Sequence, residues 1–241
     1  MPQNVSHLRV VLASPGDVKA ERSGFAKLIE QINSDTGRAA GIQFELWTWE
    51  TDAKPGFHPE GPQGGVDQVL RIAECDLFVG IFWNRIGTPT PDGKTGTEHE
   101  FATAYTTWKR TKRPEIMFYF NEKPSNLSSQ KDLRQRGKVL NFKKMFPKEG
   151  FSWSYTGKAE FLKHANDHLR KYLGEQIGKR GKRKKSRIEA DHVNEATHRK
   201  FLFTLKLGKR CIVRLPGPLL KLALSASSRP RNLHVGKSKR A

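Results

Sequence analysis

Leu77-Phe78-Val79-Gly80-Ile81-Phe82-Trp83, then Asn84-Arg85-Ile86-Gly87, then, beyond a Pro/Gly loop, Thr97-Glu98-His99-Glu100-Phe101-Ala102 is the stretch that decides the fold. The first run is apolar on both faces, as a central strand of a parallel sheet is. Thr97 opens a helix, so the unit reads strand, turn, helix. In open α/β sheets ligands settle beyond the carboxyl ends of the strands, and two carboxylates, Glu98 and Glu100, stand at this turn.

The same rhythm extends in both directions. Upstream, Leu8 to Ala13 is strand-like and is followed by Ser14-Pro15-Gly16-Asp17, where Pro at a first helical position after a Ser cap signals a helix start. The helix that follows carries Val18, Phe25, Leu28, Ile29 and Ile32 on one side, and Asp35 to Gly41 breaks it. Ile42 to Glu50 reads as a second strand, Lys54 to Gly65 as a Gly/Pro-rich loop, and Val66 to Glu74 as a short helix. Downstream, Thr97 to Lys112 is a helix and Ile116 to Phe120 a fourth strand. A polar helix follows around Ser129 to Met145, then a fifth strand near Phe151 to Tyr155. The last amphipathic helix runs through Phe161, Leu162, Ala165, Leu169, Tyr172, Leu173 and Ile177 and ends at Gly178. Repeated strand-helix alternation predicts an α/β, doubly wound, three-layer domain with a mainly parallel sheet.

Charge divides the chain. Of its 241 residues, 1–178 hold 25 Lys and Arg against 21 Asp and Glu, whereas 179–241 hold 19 against 3. The basic character therefore belongs to the tail, which after Lys179-Arg180-Gly181-Lys182-Arg183-Lys184-Lys185 shows no strand-helix rhythm and reads as disordered. A run of Lys and Arg of this kind binds phosphates without reading sequence, so nucleic acid is a candidate partner. Only Phe201 and Phe203 supply aromatic rings there for base stacking. No secretory leader pattern and no long apolar run occurs, which predicts a cytoplasmic protein with no transmembrane segment. Cys75 and Cys211 lie far apart and support neither a disulfide framework nor a zinc knuckle.

Several residues could carry chemistry. Thr97-x-x-Glu100 has the spacing of a capping box, which by itself needs no active site. In the other reading Glu100 projects into the cleft between the first and third strands, where a carboxylate can stabilise an oxocarbenium-like centre on a ribose. Free amides around Ser14 and Gly16 form a phosphate cradle or a simple cap. Glu50, after the second strand, stands where doubly wound domains often place an acid against ribose hydroxyls, although the G-x-G-x-x-G fingerprint is absent. Trp83 and Arg85 close the third strand and could stack on a base, meet a phosphate or cover the sheet end. His164 and His168 are one helical turn apart but have no third ligand, so no metal is expected. No Walker loop is present, which excludes P-loop hydrolysis.

The ordered series Arg9 to Val18 with Glu21-Arg22, Trp49-Glu50, Pro55-Gly56-Phe57, Asp76 to Trp83 with Arg85 and Gly87-Thr88-Pro89-Thr90, and Gly96-Thr97-Glu98-x-Glu100-Phe101 resembles a TIR-like family. Its members occur as N-terminal domains of STAND-type NTPases and as stand-alone proteins. The resemblance covers about residues 6 to 178. It implies a flavodoxin-like sheet related to Toll/interleukin-1 receptor domains and nucleoside 2-deoxyribosyltransferases, in which a Glu after the third or fourth strand does glycosidic chemistry on NAD or a nucleoside. The match falls on Glu100. The transferases' Asp before the Gly-Thr pair is missing, with Lys94-Thr95 in its place, so NAD glycohydrolysis in defence-type signalling is the enzymatic expectation, NAD being substrate and no cofactor being required. Glu98, Glu50 or Asp76 would then supply a second acidic role. A non-catalytic self-association module, using Trp47, Trp49, Trp83 and Phe57 as an assembly face, is the rival reading.

Overall fold

The computed structural model describes residues 5–48, 52, 58–59, 61–87 and 95–206, with backbone alone for 61–63, 68, 184, 187–188 and 191–206. By its contacts the chain divides into a compact unit, Met1–Lys182, and a second unit, Arg183–Ala241.

In the compact unit five strands form one all-parallel sheet in the order β2-β1-β3-β4-β5. They are β1 (Ser6–Ala13), β2 (Ile42–Trp47), β3 (Leu77–Phe82), β4 (Glu115–Asn121) and β5 (Ser152–Tyr155). The helices are α1 (Lys19–Ile32), α2 (Gly61–Leu70), α3 (Gly96–Thr111), α4 (Gln130–Lys144) and α5 (Lys158–Lys206). This is the flavodoxin-like, doubly wound order, with the chain reversing its direction of travel across the sheet between β1 and β3.

Side-chain alternation builds two cores. Val10, Leu12, Leu77, Val79 and Ile81 meet α1 and α5 on one face. Val11, Ala13, Phe78, Phe82, Phe118 and Phe120 meet α2, α3 and α4 on the other. The central strand β3 is thus buried on both faces, which is why it is apolar at consecutive positions. Gly80 is the exception in size: a Cβ there would stand 2.2 Å from the Phe118 ring of the neighbouring strand, so that ring fills the space a side chain would take.

Three local expectations are corrected. Asp35 to Gly41 does not break the first helix; a π-helical stretch, Asn33–Gly37, and a last turn, Arg38–Ala40, carry it to Gly41, whose φ of 64° suits glycine. The bulge has a purpose in the sheet. Asn33 donates through Nδ2 to the Phe44 carbonyl (2.9 Å) and accepts through Oδ1 from the Phe44 amide (2.8 Å), giving the β2 edge a side-chain partner. Ser14 does not cap a helix: Pro15 occupies the cap position of a 3₁₀ turn, Gly16–Val18, with no side-chain cap bond. And the last helix does not stop at Gly178 but continues to Lys206. Hydrophobic periodicity ends near Ile177, yet Lys and Arg are good helix formers, so the helix outlasts its buried stripe. Residues 207–241 of the expected disordered tail, Cys211 among them, lie outside the described residues. Among the described residues no helix is long and apolar enough to cross a membrane.

Candidate functional site at the carboxyl ends of the central strands

The turns after β1 and β3 meet at the point where the strand order reverses. One side chain joins them: Asp17 accepts through Oδ2 from the amides of Asn84 (2.8 Å) and Arg85 (2.9 Å). Its other oxygen is buried with no partner among the described residues, and burial raises the carboxyl's pKa despite those amides. Ser14 is 4% exposed, with an Oγ that also has no partner among them. Its carbonyl receives Arg22 Nη1 at 3.4 Å. A Cβ added to Gly16 would meet no atom of the described residues within 4 Å. Ser14, Gly16, Trp83 and Arg85 are therefore brought to one edge.

Glu98 and Glu100 open α3 just beyond that edge. The expected capping box is present in a different register. Thr95, extended at φ −93° and ψ 160°, is the cap; its Oγ1 accepts from the Glu98 amide (3.4 Å), and Glu98 Oε2 accepts from the Thr95 amide (3.0 Å). Thr95 and Thr97 each have a Glu three positions on, and the helix begins two residues earlier than the Thr97 register requires. Glu98 is thereby committed to the cap and Glu100 is not.

Glu100 lies on the buried stripe of α3 with Thr97, Phe101, Ala104 and Thr107, and is 3% exposed. No hydrogen bond from a described residue reaches its carboxyl. Burial first, and the nearby Asp67 carboxylate of α2 second, push its pKa up to about 8. A group left in this state carries a proton at neutral pH and gives it up to a cation or a base placed beside it. The adjacent His99 holds Asp67 through Nε2 at 2.9 Å. Asp67 is a residue the sequence reading missed, although a lone acid two turns into a helix after a Gly-rich loop was the available signal.

The other expected residues fare differently. Trp83 is half-buried, donates through Nε1 to the Lys123 carbonyl (2.9 Å) and packs against the α1/α5 core, so its indole covers the sheet end. Arg85 is exposed and reaches Asp132 at 3.5 Å. Asp76 is separated from the rest: it precedes β3, at the amino end of the sheet, where it accepts from the Arg9 amide (2.9 Å) and pairs with Arg113. Glu50, Trp49 and Phe57 lie outside the described residues. Trp47 packs beneath the Arg9 guanidinium at 4.4 Å. His168 bonds the Tyr119 hydroxyl at 2.8 Å, and His164 lies 3.4 Å from Glu160. Among the described residues no three metal-ligating side chains converge. Cys75 is a buried core thiol, its pKa pushed up to about 12 by burial.

A second polar group under the same edge had no local signal. Buried Glu21 accepts from Asn121 Nδ2 (3.0 Å) and from the Tyr155 hydroxyl (3.5 Å), partners 100 and 134 positions away. Burial, reinforced by Glu21, raises the Tyr155 pKa.

None of the curated proteins matches the chain. Residues 13–170 match the family model described as Domain of unknown function (DUF4062), a span that starts at the last residue of β1, ends within α5 and takes in Ser14, Gly16, Asp17, Asp67, Glu98 and Glu100; the chain belongs to that family.

Proposed function

We propose that the compact unit is a TIR-like effector domain that hydrolyses the N-glycosidic bond of NAD, with Glu100 as the catalytic residue. The observation that carries this reading is a carboxyl near the start of α3, 3% exposed, which no described residue hydrogen-bonds and whose pKa burial pushes up to about 8. A structural carboxylate in such a position is ordinarily hydrogen-bonded or paired, because burying it bare is costly.

The chemistry follows from that cost. A nicotinamide riboside carries a formal positive charge on its ring, and its approach lowers the pKa of Glu100 until the carboxyl releases its proton to solvent water, the one net proton the hydrolysis yields. The C1′–N bond then breaks with its electron pair going to the ring nitrogen, so neutral nicotinamide departs and the positive charge moves onto the ribose. The Glu100 carboxylate stabilises that charge across a short, dry distance. Water adds its oxygen to C1′ and loses a proton to the same carboxylate. The Ser14 and Gly16 turn seats the pyrophosphate, with Arg85 close enough in the chain's layout to face an outer phosphate.

Incubating the purified chain with NAD and measuring free nicotinamide tests the reading. Release by the wild type and loss in Glu100→Gln, with both proteins folded, supports it. Absence of release from a folded, concentrated wild type refutes it.

A further inference from the structure

The edge strand β5 is too short for the sheet it closes. Its four residues pair with Phe118–Asn121, but β4 begins at Glu115. The Glu115 amide donates to the Asp76 carbonyl on the β3 side (3.0 Å). Strand alternation then turns the N–H and C=O of Ile116 toward the opposite flank, where no strand lies. Backbone groups of this kind are obligatory hydrogen-bond formers.

A cavity of about 450 Å³ opens on that flank, with Ile116 and Met117 in its floor. Its two sides differ in chemistry. On the α3 side stand Tyr105 and Trp108, near-parallel rings with centroids 6.0 Å apart, and Phe151, 76% exposed, is at the mouth. On the α5 side stand Glu175 and Lys171, with Glu115 projecting from β4. Glu149, at the rim, accepts from the Tyr105 hydroxyl at 3.3 Å and is balanced by Lys109 and Lys112. Burial and then Glu175 raise the Glu115 pKa even against Lys179, so a further cation between these two carboxylates would be welcome. The rings already attract cations: Lys109 Nζ lies 4.7 Å from the Tyr105 centroid and Lys112 Nζ 4.4 Å from that of Trp108, each taking one ring face.

We infer that this flank is a strand-addition site for an extended segment of a partner protein in which basic and apolar residues alternate. The added main chain bonds the free groups of Ile116 and extends the line of β5. Because strand side chains point alternately to the two faces, its Arg or Lys side chains meet Glu115 and Glu175 while its apolar ones lie on Trp108 and Phe151. The pairing supplies affinity and the two unlike walls supply the pattern.

Fluorescence anisotropy of the full chain with a fluorescein-labelled Arg-Val-Arg-Val peptide measures this directly. Saturable binding is expected, weakened by about tenfold or more when the arginine amides are N-methylated, when Arg is replaced by Glu, and in Trp108→Ala and Glu175→Lys. Glu175 is exposed, so its variant remains informative if Trp108→Ala fails to fold. Leu133→Ala, an exposed position on α4 away from the cavity, leaves binding unchanged. Equal binding of the N-methylated peptide, which would mean cation capture alone, overturns the inference. So does equal binding of the acidic peptide, indifference to Glu175→Lys, or no binding up to millimolar peptide.

Discussion

The two ends of the sheet handle buried acid differently. At the amino end Asp76 has every demand met: a backbone amide on one oxygen, Arg113 on the other, and the Tyr172 hydroxyl on its carbonyl (3.1 Å). At the carboxyl end no described residue bonds the Glu100 carboxyl, and among the described residues Asp17 has one oxygen unpartnered and Ser14 an idle hydroxyl. The first arrangement stabilises the fold and leaves nothing for a ligand to do. The second costs stability, and such a cost persists where a ligand supplies what the protein withholds. The sequence puts Glu100 first, offers Asp76 only for a second acidic role and assigns Asp17 none; the partners of each are what the structure adds.

The strongest way to break this contrast is Glu100→Gln. Nicotinamide release is expected to fall by about 100-fold or more. Stability should move the opposite way, and with a defined pH dependence. Because the folded state holds the Glu100 proton up to about pH 8, against 4.5 for the free group, wild-type stability declines as pH rises from about 4.5 to about 8. The variant lacks that decline, so its advantage in urea unfolding is absent at pH 4 and grows to on the order of 4 kcal/mol by pH 8. A flat difference between the two proteins across that range would mean that Glu100 is not buried bare.

Asp17→Ala removes the acceptor for two amides and unties the β1 and β3 turns. A loss of about 2 kcal/mol is expected, with faster hydrogen exchange at Asn84 and Arg85. Asp76→Ala is milder, about 1–2 kcal/mol by thermal unfolding, since its ion pair with Arg113 is partly exposed and the Arg9 amide carries most of the effect. Its specific activity per folded molecule should match the wild type; a collapse of turnover there would erase the distinction between the two ends. Smallest is Glu98→Ala, which removes half of the cap and costs about 0.5–1 kcal/mol, read as a modest drop in melting temperature without loss of turnover.

Much of the fold was legible because both-sided burial writes itself as apolar runs, as in Leu77 to Phe82, and because Gly and Pro mark the turns. The limits were equally physical. Two Thr-x-x-Glu spacings overlap at the start of α3, and nothing local says that Thr95 rather than Thr97 is extended. The link from Asp17 to Asn84 and the Glu21, Asn121 and Tyr155 group join residues remote in sequence, where periodicity is silent. Asp76 is offered as a second acid because it adjoins β3 in sequence, yet it precedes that strand and stands at the amino end of the sheet, while α3 and Glu100 follow it. The helix beyond Gly178 was missed for a different reason: pattern reading detects burial, and that segment is helical by propensity.

The Phe118 ring lying over Gly80 has a consequence for how this domain can diverge. Alanine at 80 has no room unless position 118 shrinks in the same lineage, and a smaller residue at 118 alone opens a void in the α3 and α4 core. The two positions are one unit of inheritance, and homologous sequences, once aligned, should show them drifting as a pair rather than singly.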